Sequence, residues 1–316
     1  MKLLLFATLG LAVSSSPATD WPRYRGVNGS GVSTDGEIPT KWTEETTLWN
    51  IDLEGNGHGS PVIYGDKLFL LTAIDEKPPA EEAKGKGGAK KKKGATPFLW
   101  RALCLNKKSG DILWQKDFDQ RAFKGHRFNS AASSTAAVDA KRVIFCRGTP
   151  DLLTMISLSH EGEVQWQKDL GPVVGGHGFG ASPILYKDLV VLNNDQEKQS
   201  GNLFALHADT GEIAWEVERR SQRISYSVPC VYPTESHGEV LVFTNWQHGF
   251  TAVDPMNGKV IADKSVFNLD TNERAISSPV VAGDLVIGTC GFTANPKHCV
   301  AMKLDAEGWK EVWRIE

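Results

Sequence analysis

Four histidines lie in segments rich in glycine and asparagine, where an imidazole can bind a metal ion or exchange protons near neutral pH. They are His58, His126, His177 and His248. The first three lie three, nine and six residues before the prolines or threonine of the strand-like segments that follow them. Because these positions are not equivalent, the sequence does not indicate a preformed metal cage, and we predict no metal site.

Other polar side chains in the same segments are suited to binding a small polar ligand or a protein partner. The predicted ligand-binding set is His58, His126, Arg127, His177, Asn194, Asp195, Arg223, Trp246 and His248, accompanied by Lys124, Asn129, Asn193, Tyr226 and Gln247. A second interpretation is a basic ring for a carboxylate, sulfate or phosphate, formed by Lys124, Arg127, Arg147 and Arg223. Asn193, Asn194 and Asp195 offer oxygen ligands for Ca²⁺, but no second carboxylate is evident on an adjacent segment.

The motifs of common hydrolases are missing from the sequence. It contains neither a Gly-x-Ser-x-Gly nucleophile elbow nor a zinc-binding His-Glu-x-x-His. No serine stands out as a nucleophile with a base in reach, so the sequence identifies no catalytic residue.

The elements that must position these residues come from an internal repeat, which is sought before any other pattern. Tryptophans recur at Trp114, Trp166, Trp215 and Trp313, with spacings of 52, 49 and 98 residues, and Ala262 stands close to the place of the one that is missing. Each tryptophan lies in a segment that consists of a strand, a glycine turn and a second strand. A Ser-Pro-like step keeps the same period at Ser60, Ser134, Ser182, Val228 and Ser278. Two markers at one period predict a repeat of about fifty residues.

Each repeat reads as four short antiparallel strands, which predicts an all-β fold with the blades of a β-propeller. The strand that follows the Ser-Pro step should be innermost, because a proline at the start of a strand removes no ladder donor. The tryptophan strand should be outermost, where Trp49, Trp114, Trp166, Trp215 and Trp313 can each cover the glycine turn of a neighbouring blade.

The repeat divides the chain into five full blades, at residues 60–118, 133–170, 181–219, 226–266 and 277–316. Thr46–Leu53, which contains Trp49, is left as an orphan outer strand without inner partners. We therefore expect an incomplete ring from an eight-bladed family, with the partners of this strand beyond Glu316. A closed six-bladed ring is the rival interpretation.

The repeat resembles that of the pyrroloquinoline-quinone-like (PQQ-like) propellers, whose mark is Ala-x-Asp-x-x-Thr-Gly-x-x-x-Trp. The best match is Ala205–Trp215, where Thr210 and Gly211 are kept and His207 replaces the first aspartate. The opening Asp-Trp-Pro-Arg-Tyr-Arg-Gly at residues 20–26 is similar to the start of exported bacterial members. The resemblance covers nearly the whole mature chain, and it is specific for fold rather than function.

Two functions follow from this resemblance. One branch of the family consists of dehydrogenases that hold PQQ and Ca²⁺ over the channel, and the other consists of non-catalytic propellers that offer loops and edges to proteins in outer-membrane assembly. The sequence lacks the vicinal cysteine pair of many of the dehydrogenases and the lipid-acceptor cysteine of the assembly factor. We predict a non-catalytic scaffold without a cofactor, and a PQQ- and Ca²⁺-dependent alcohol or sugar dehydrogenase is the alternative.

The N-terminus predicts export to the periplasm. Lys2, the apolar stretch 3–13 and the small residues that end at Ala18 form a signal peptide over residues 1–18, too short to span a bilayer. An N-terminal extension should follow at 19–45 and the propeller at 46–316. The net charge of −3 gives no reason to expect nucleic acid, and we expect a soluble mature chain without a transmembrane span.

Two further features accompany the repeat. The lysine-rich segment 73–97 has few large apolar residues and is predicted to be a disordered loop. The chain has five cysteines, an odd number, so at least one thiol should stay free in an oxidising compartment. Cys290 and Cys299 are the candidate disulfide, across one hairpin. Buried unreactive thiols are expected for Cys104, Cys146 and Cys230.

Overall fold

The computed structural model describes residues 20–33, 39–75, 96–126, 128–270, 273–292 and 296–316. Within these ranges the regular elements are β-strands and two 3-10 helices, Val27–Gly29 and Glu44–Thr46, so the predicted all-β class is confirmed. The predicted signal peptide and Arg127 lie outside the described residues. No helix among the described residues is long and apolar enough to cross a membrane.

Five sheets of antiparallel strands follow one another along the chain. Blade 1 contains β1 (Val62–Tyr64), β2 (Lys67–Asp75), β3 (Thr96–Asn106) and β4 (Ile112–Asp117), and β5 (Arg121–Phe123) pairs with the start of β3. Blade 2 contains β6 (Ala137–Val138), β7 (Val143–Gly148), β8 (Leu153–Leu158) and β9 (Val164–Asp169). Blade 3 contains β10 (Ile184–Tyr186), β11 (Leu189–Asn194), β12 (Gln199–His207) and β13 (Ile213–Ser221). Blade 4 contains β14 (Cys230–Thr234), β15 (Gly238–Asn245), β16 (Gly249–Val253) and β17 (Val260–Lys264). Blade 5 contains β18 (Val280–Ala282), β19 (Leu285–Cys290), β20 (His298–Asp305) and β21 (Gly308–Ile315).

The first strand of each blade is innermost, as the Ser-Pro step predicts. Contacts join β1 to β6, β6 to β10 and β14 to β18, each pair belonging to different blades. The hydroxyl groups of the Ser-Pro-like steps explain part of this packing. The amide of Ser60 donates to Thr135 Oγ1 at 2.9 Å, and the amide of Thr135 donates to Ser182 Oγ at 2.9 Å. The hydroxyl before the inner strand of one blade therefore accepts a hydrogen bond from a backbone N–H of the preceding blade. This N–H has no partner in its own ladder, so the bond satisfies it.

Four of the five repeat tryptophans dock on the glycine turn of the next blade, which confirms the predicted docking for these four. A Cβ atom added to the turn glycine would lie 2.6–2.9 Å from the indole in the pairs Trp49–Gly110, Trp114–Gly162, Trp166–Gly211 and Trp215–Gly258. Each indole N–H also donates to a turn carbonyl, on Lys107, His160, Ala208 or Pro255, at 2.8–2.9 Å. Glycine is required at these turns because the indole ring lies against its Cα and leaves no room for a side chain. Its positive φ also favours glycine.

The contact between blades 4 and 5 departs from this pattern. Ala262 stands in the tryptophan position of blade 4 and is too small to reach the next turn. Trp309 of blade 5 fills the space instead, stacked 6.1 Å from Tyr232 and tilted 5.7 Å from Phe250. The tryptophan that packs between blades 4 and 5 therefore belongs to blade 5, the later of the two blades. Trp313 has no following turn among the described residues and is 36% exposed.

Residues 20–33, part of the predicted N-terminal extension, form a strap across the ends of several inner strands. Trp21 pairs with Ile63 of blade 1, and the Val138 amide of blade 2 donates to Pro22 O. Arg23 is buried and donates to Pro229 O at 2.5 Å, at the start of blade 4. The strap therefore ties blades 1, 2 and 4 together across their inner strands.

Two predicted boundaries are corrected. Thr46–Leu53 is not a strand: after the 3-10 helix Glu44–Thr46 the chain is irregular, and no described strand pairs with it. An isolated strand has no partner for its backbone groups, so only its tryptophan keeps the docking position. The predicted loop 73–97 is corrected at both ends, because residues 73–75 pair with β3 and Thr96 and Pro97 pair with β5. Residues 76–95 lie outside the described ranges.

The predicted disulfide is also corrected. Cys290 lies opposite His298 and Cys299 lies opposite Thr289 in the β19–β20 ladder. Side chains alternate between sheet faces, so the two cysteines point to opposite faces and cannot bond. All five cysteines are free thiols. Cys104, Cys146 and Cys230 are buried, as expected.

Candidate functional site

In each antiparallel blade the loop that precedes the inner strand and the turn that joins the second to the third strand lie at the same end. We call this end the mouth. It comprises residues 57–61, 118–136, 149–152, 170–183, 195–198, 222–229, 246–248, 265–270, 273–279, 291–292 and 296–297, except Arg127. Ligands in propellers and barrels usually bind at such openings. Most of the predicted site residues lie here, but they fall into separate groups.

One group lies beside a cavity between the loops of blades 1, 2 and 3, which His126 helps to line. The His126 and His177 rings lie with their centroids 4.2 Å apart, so two of the predicted histidines are brought together. Burial lowers the pKa of His177, and the charges of Arg274 and His126 lower it further. The adjacent cavity has a volume of about 470 Å³, and its lining includes Lys124, Gly176 and Glu197. His177 is therefore a neutral donor or acceptor at pH 7 rather than a cation.

The centre of the mouth is a carboxylate held by two arginines. Glu197 Oε1 accepts from Arg223 Nη1 at 2.5 Å and lies 3.7 Å from Arg274 Nη2. Glu197 Oε2 accepts from the Gly176 amide at 3.2 Å. Burial would raise the pKa of Glu197, but this amide and the two positive charges outweigh it and hold the pKa below its usual value. Glu197 is therefore ionised at neutral pH.

Two donors beside this carboxylate have no hydrogen-bond partner among the described residues. They are the buried Tyr226 Oη and Arg274 Nη1. Burial raises the pKa of Tyr226 to about 12, against the opposing charge of Arg274. The phenol therefore keeps its proton and remains a donor. Unsatisfied buried donors cost about 1–3 kcal/mol each, so a bound group that accepts from them would be stabilised.

Asp195, Asn194, Trp246 and His248 serve the packing of blades 3 and 4 instead of facing the cavity. Asp195 is buried and forms a two-pronged ion pair with Arg219, at 2.8 and 2.5 Å. Its second oxygen also accepts from Asn245 at 2.9 Å. Asn194 and Trp246 are likewise buried, and the Trp246 indole donates to Asn268 O. His248 lies 2.9 Å from Asp263 and 3.0 Å from Arg220 O.

The remaining predicted residues are dispersed. The exposed His58 contacts the neighbouring loop through its backbone amide, which donates to Ser130 Oγ at 3.0 Å. Arg147 lies below the mouth, 5.3 Å over the Trp100 ring and bonded to Asp119. Its guanidinium is therefore not part of a basic ring. Asn129 supports the loop above His177 by donating to Phe179 O at 2.7 Å.

A second buried cluster lies beside the mouth on blade 5. Cys290 donates to Glu273 Oε2 at 3.4 Å, and His298 Nε2 lies 3.7 Å from the same oxygen. Burial raises the pKa of the Cys290 thiol, and the bond to Glu273 raises it further, so the thiol is unreactive. Across the described ranges no three or more His, Cys, Asp and Glu side chains are arranged to hold a metal ion.

Sequence reasoning missed Glu197 and Arg274, although the repeat register contained a signal for one of them. His177 and Arg223 each lie five residues before the Ser-Pro-like step of their blade, and Arg274 lies four before Ser278. These positions lie in the loops that precede three of the inner strands. Glu197 has no such marker, because it lies in a turn between the second and third strands whose length differs from blade to blade.

Comparison with known proteins agrees with this architecture. The fold and its repeats define a β-propeller of PQQ-like blades. The family model described as outer membrane protein assembly factor BamB matches residues 101–315, and the chain belongs to this family. No curated protein matches it.

Solved structures share the fold at low identity. BamB from Moraxella catarrhalis superposes with a TM-score of 0.51 at 14% identity, over 84% of this chain and 66% of that one. Quinohemoprotein alcohol dehydrogenase from Comamonas testosteroni has a TM-score of 0.55 at 12% identity, over 96% and 68%. A quinohemoprotein alcohol dehydrogenase from Pseudomonas putida HK5 has a TM-score of 0.51 at 12% identity, over 91% and 58%. The chain thus spans less than two thirds of the Moraxella and Pseudomonas proteins.

Proposed function

We propose that this chain is a non-catalytic propeller, exported to the periplasm, that binds a protein partner through the mouth. The observation that carries the proposal is the pairing of the acidic groups at the mouth. Glu197 is held by Arg223 and Arg274, and Asp195 by Arg219 and Asn245. Neither carboxylate is available as a general base or nucleophile, since both are engaged as acceptors in ion pairs.

The rim of the mouth has the composition of a protein-binding surface. Large apolar side chains from four different loops are exposed there: Phe128, Val174, Leu269, Ile276 and Phe292. Cations lie between them, including Lys124 and Lys198 at the cavity. Aromatic and aliphatic anchors surrounded by charged groups are typical of protein interfaces. The family description points in the same direction, to a partner in the assembly of outer-membrane proteins.

The alternative, a PQQ- and Ca²⁺-dependent dehydrogenase, is favoured only by the shared fold. Calcium needs several oxygen ligands. Of the oxygen donors predicted from the sequence, the Asp195 carboxylate is bound on both oxygens, and Asn193 donates to Ser227 O and accepts from the Asp195 amide. These residues do not fit a Ca²⁺ site, and no chemical step is assigned to PQQ or to Ca²⁺.

Site-specific photo-crosslinking in the exported compartment tests the proposal. A photoreactive amino acid is placed at Phe128 or Phe292 on the rim, and at the exposed Glu216 on an outer strand as the matched control. We expect both rim positions to crosslink to the same envelope protein and the control position to give no such product. Phe128→Ser combined with Phe292→Ser should then lower the affinity for that protein about tenfold, since buried aromatic anchors dominate interface energy. Equal crosslinking from Glu216 would contradict docking at the mouth.

A further inference from the structure

The arginine pair at the mouth is already configured for a carboxylate. Arg223 and Arg274 both approach the same oxygen of Glu197, at 2.5 and 3.7 Å, while the Gly176 amide binds the other oxygen. Charge-assisted bonds of this kind are stronger than neutral ones and match the planar geometry of a carboxylate. Two guanidinium groups share one carboxylate, so this cluster keeps an excess positive charge.

The excess charge coincides with unused donors. Tyr226 Oη and Arg274 Nη1 are buried and have no partner among the described residues. Arg274 and Glu197 both act electrostatically on Tyr226, so these three groups lie in one neighbourhood. Unused donors beside a net positive charge suit an acceptor that is itself an anion.

The cluster can be reached from two sides. Glu197 lines the cavity of about 470 Å³ together with Lys124 and Lys198. Arg274 lines a second cavity of about 520 Å³ on the blade 5 side, next to Ile276 and Phe292 of the rim. Lys124 and Lys198 line the first cavity, and Arg274 and Lys297 line the second, so both carry cations that favour an anion.

We propose that Arg274, Arg223 and Tyr226 form a carboxylate-binding subsite at the mouth, in which an incoming carboxylate takes the unused donors of Arg274 and Tyr226 and competes with Glu197. The carboxylate belongs either to an acidic segment of a protein partner or to a free small polycarboxylate. The first source rests on the proposed function, whereas the second would hold even if no protein docks. Glu197 then acts as an internal competitor that weakens binding.

Fluorescence anisotropy with the whole mature chain tests the subsite. The probe is fluorescein-labelled hexaglutamate, the matched uncharged probe is hexaglutamine, and citrate is the free competitor. We expect hexaglutamate alone to bind. Competition by citrate identifies a free polycarboxylate as sufficient, and binding of the peptide without competition assigns the site to an acidic chain. If neither hexaglutamate nor citrate binds, the subsite is wrong, even where crosslinking at the rim succeeds.

Variants separate this subsite from general charge attraction. Arg274→Gln should raise the dissociation constant about tenfold and Tyr226→Phe about threefold, since each removes a donor. Glu197→Gln should lower it about threefold by removing the competitor. Arg314→Gln, a matched loss of one cation on the outer strand, should leave it unchanged.

The opposite directions expected for Glu197→Gln and Arg274→Gln are the decisive feature, because damage to the fold would weaken binding in both. Circular dichroism and the melting temperature check that each variant is folded. If Arg274→Gln does not fold, the nearly isosteric Tyr226→Phe carries the test. The proposal would be overturned if the dissociation constant changed in the same direction in Glu197→Gln and Arg274→Gln. It would also be overturned if Arg314→Gln raised the dissociation constant as much as Arg274→Gln.

Discussion

Replacing Trp166 with alanine is expected to lower the free energy of unfolding by about 3–5 kcal/mol, the range for removing a buried tryptophan. The Trp166 indole lies flat on Gly211 of the next blade and donates to Ala208 O at 2.8 Å. Its loss opens a cavity between blades 2 and 3 and leaves that carbonyl without this bond. Urea denaturation followed by circular dichroism measures the change.

Trp313 provides the matched control, because it occupies the same repeat position without a docking turn among the described residues. It is 36% exposed, whereas Trp166 is 8% exposed. Trp313→Ala should cost less than about 1 kcal/mol, as is usual for substitutions away from buried contacts. Equal losses for the two variants would contradict the assignment of the tryptophans as wedges between blades.

Replacing Asp195 with alanine should have a comparable effect for an electrostatic reason. The variant leaves the buried Arg219 guanidinium without its ion-pair partner, and breaking such a pair typically costs about 3–5 kcal/mol. The Asn245 amide that donates to Asp195 Oδ2 also loses an acceptor, which weakens the contact between blades 3 and 4. Urea midpoints of the variant and the parent protein give the difference.

Two controls distinguish a buried charge from general damage. Asp284→Ala breaks an exposed ion pair with Lys303 and should cost less than about 1 kcal/mol. The double variant Asp195→Leu, Arg219→Met removes both charges and should recover part of the loss. A full loss in the double variant would mean that the packing of this site, and not the unpaired arginine, determines the effect.

The repeat predicted most of the fold because its markers are local. The register of tryptophans, glycine turns and Ser-Pro steps located five blades, and these correspond to the five observed sheets. Each marker has a direct physical role, as with Trp114 on Gly162 or the Ser60 amide on Thr135. The blade count of a complete ring stays a prediction.

Long-range contacts could not be predicted in this way. Arg23 of the strap bonds to Pro229 O, 206 residues away, and no local pattern encodes that distance. Thr46–Leu53 has the composition of a strand, but a strand also requires a partner. Cys290 and Cys299 are close in sequence, and only the register reveals that they face opposite ways.

The candidate site was predicted in part. His126, His177 and Arg223 lie at the mouth as expected from their loops, whereas Asp195 and His248 bond to residues of blades 3 and 4 and join these two blades. The residue types alone do not distinguish these cases, because a polar residue at the end of a strand can serve either purpose. The pairing of Glu197 with Arg223 and Arg274 depends on three loops meeting in space.

The central claim, a scaffold without redox chemistry, is tested most directly by titrating the folded mature chain with PQQ in the presence of Ca²⁺. Quinone absorbance and the melting temperature are followed together, since a ligand that binds only the folded state must raise the melting temperature as its concentration exceeds the dissociation constant. We expect neither quantity to change saturably at micromolar PQQ. Saturable binding with a rise in melting temperature would contradict the claim and favour the dehydrogenase.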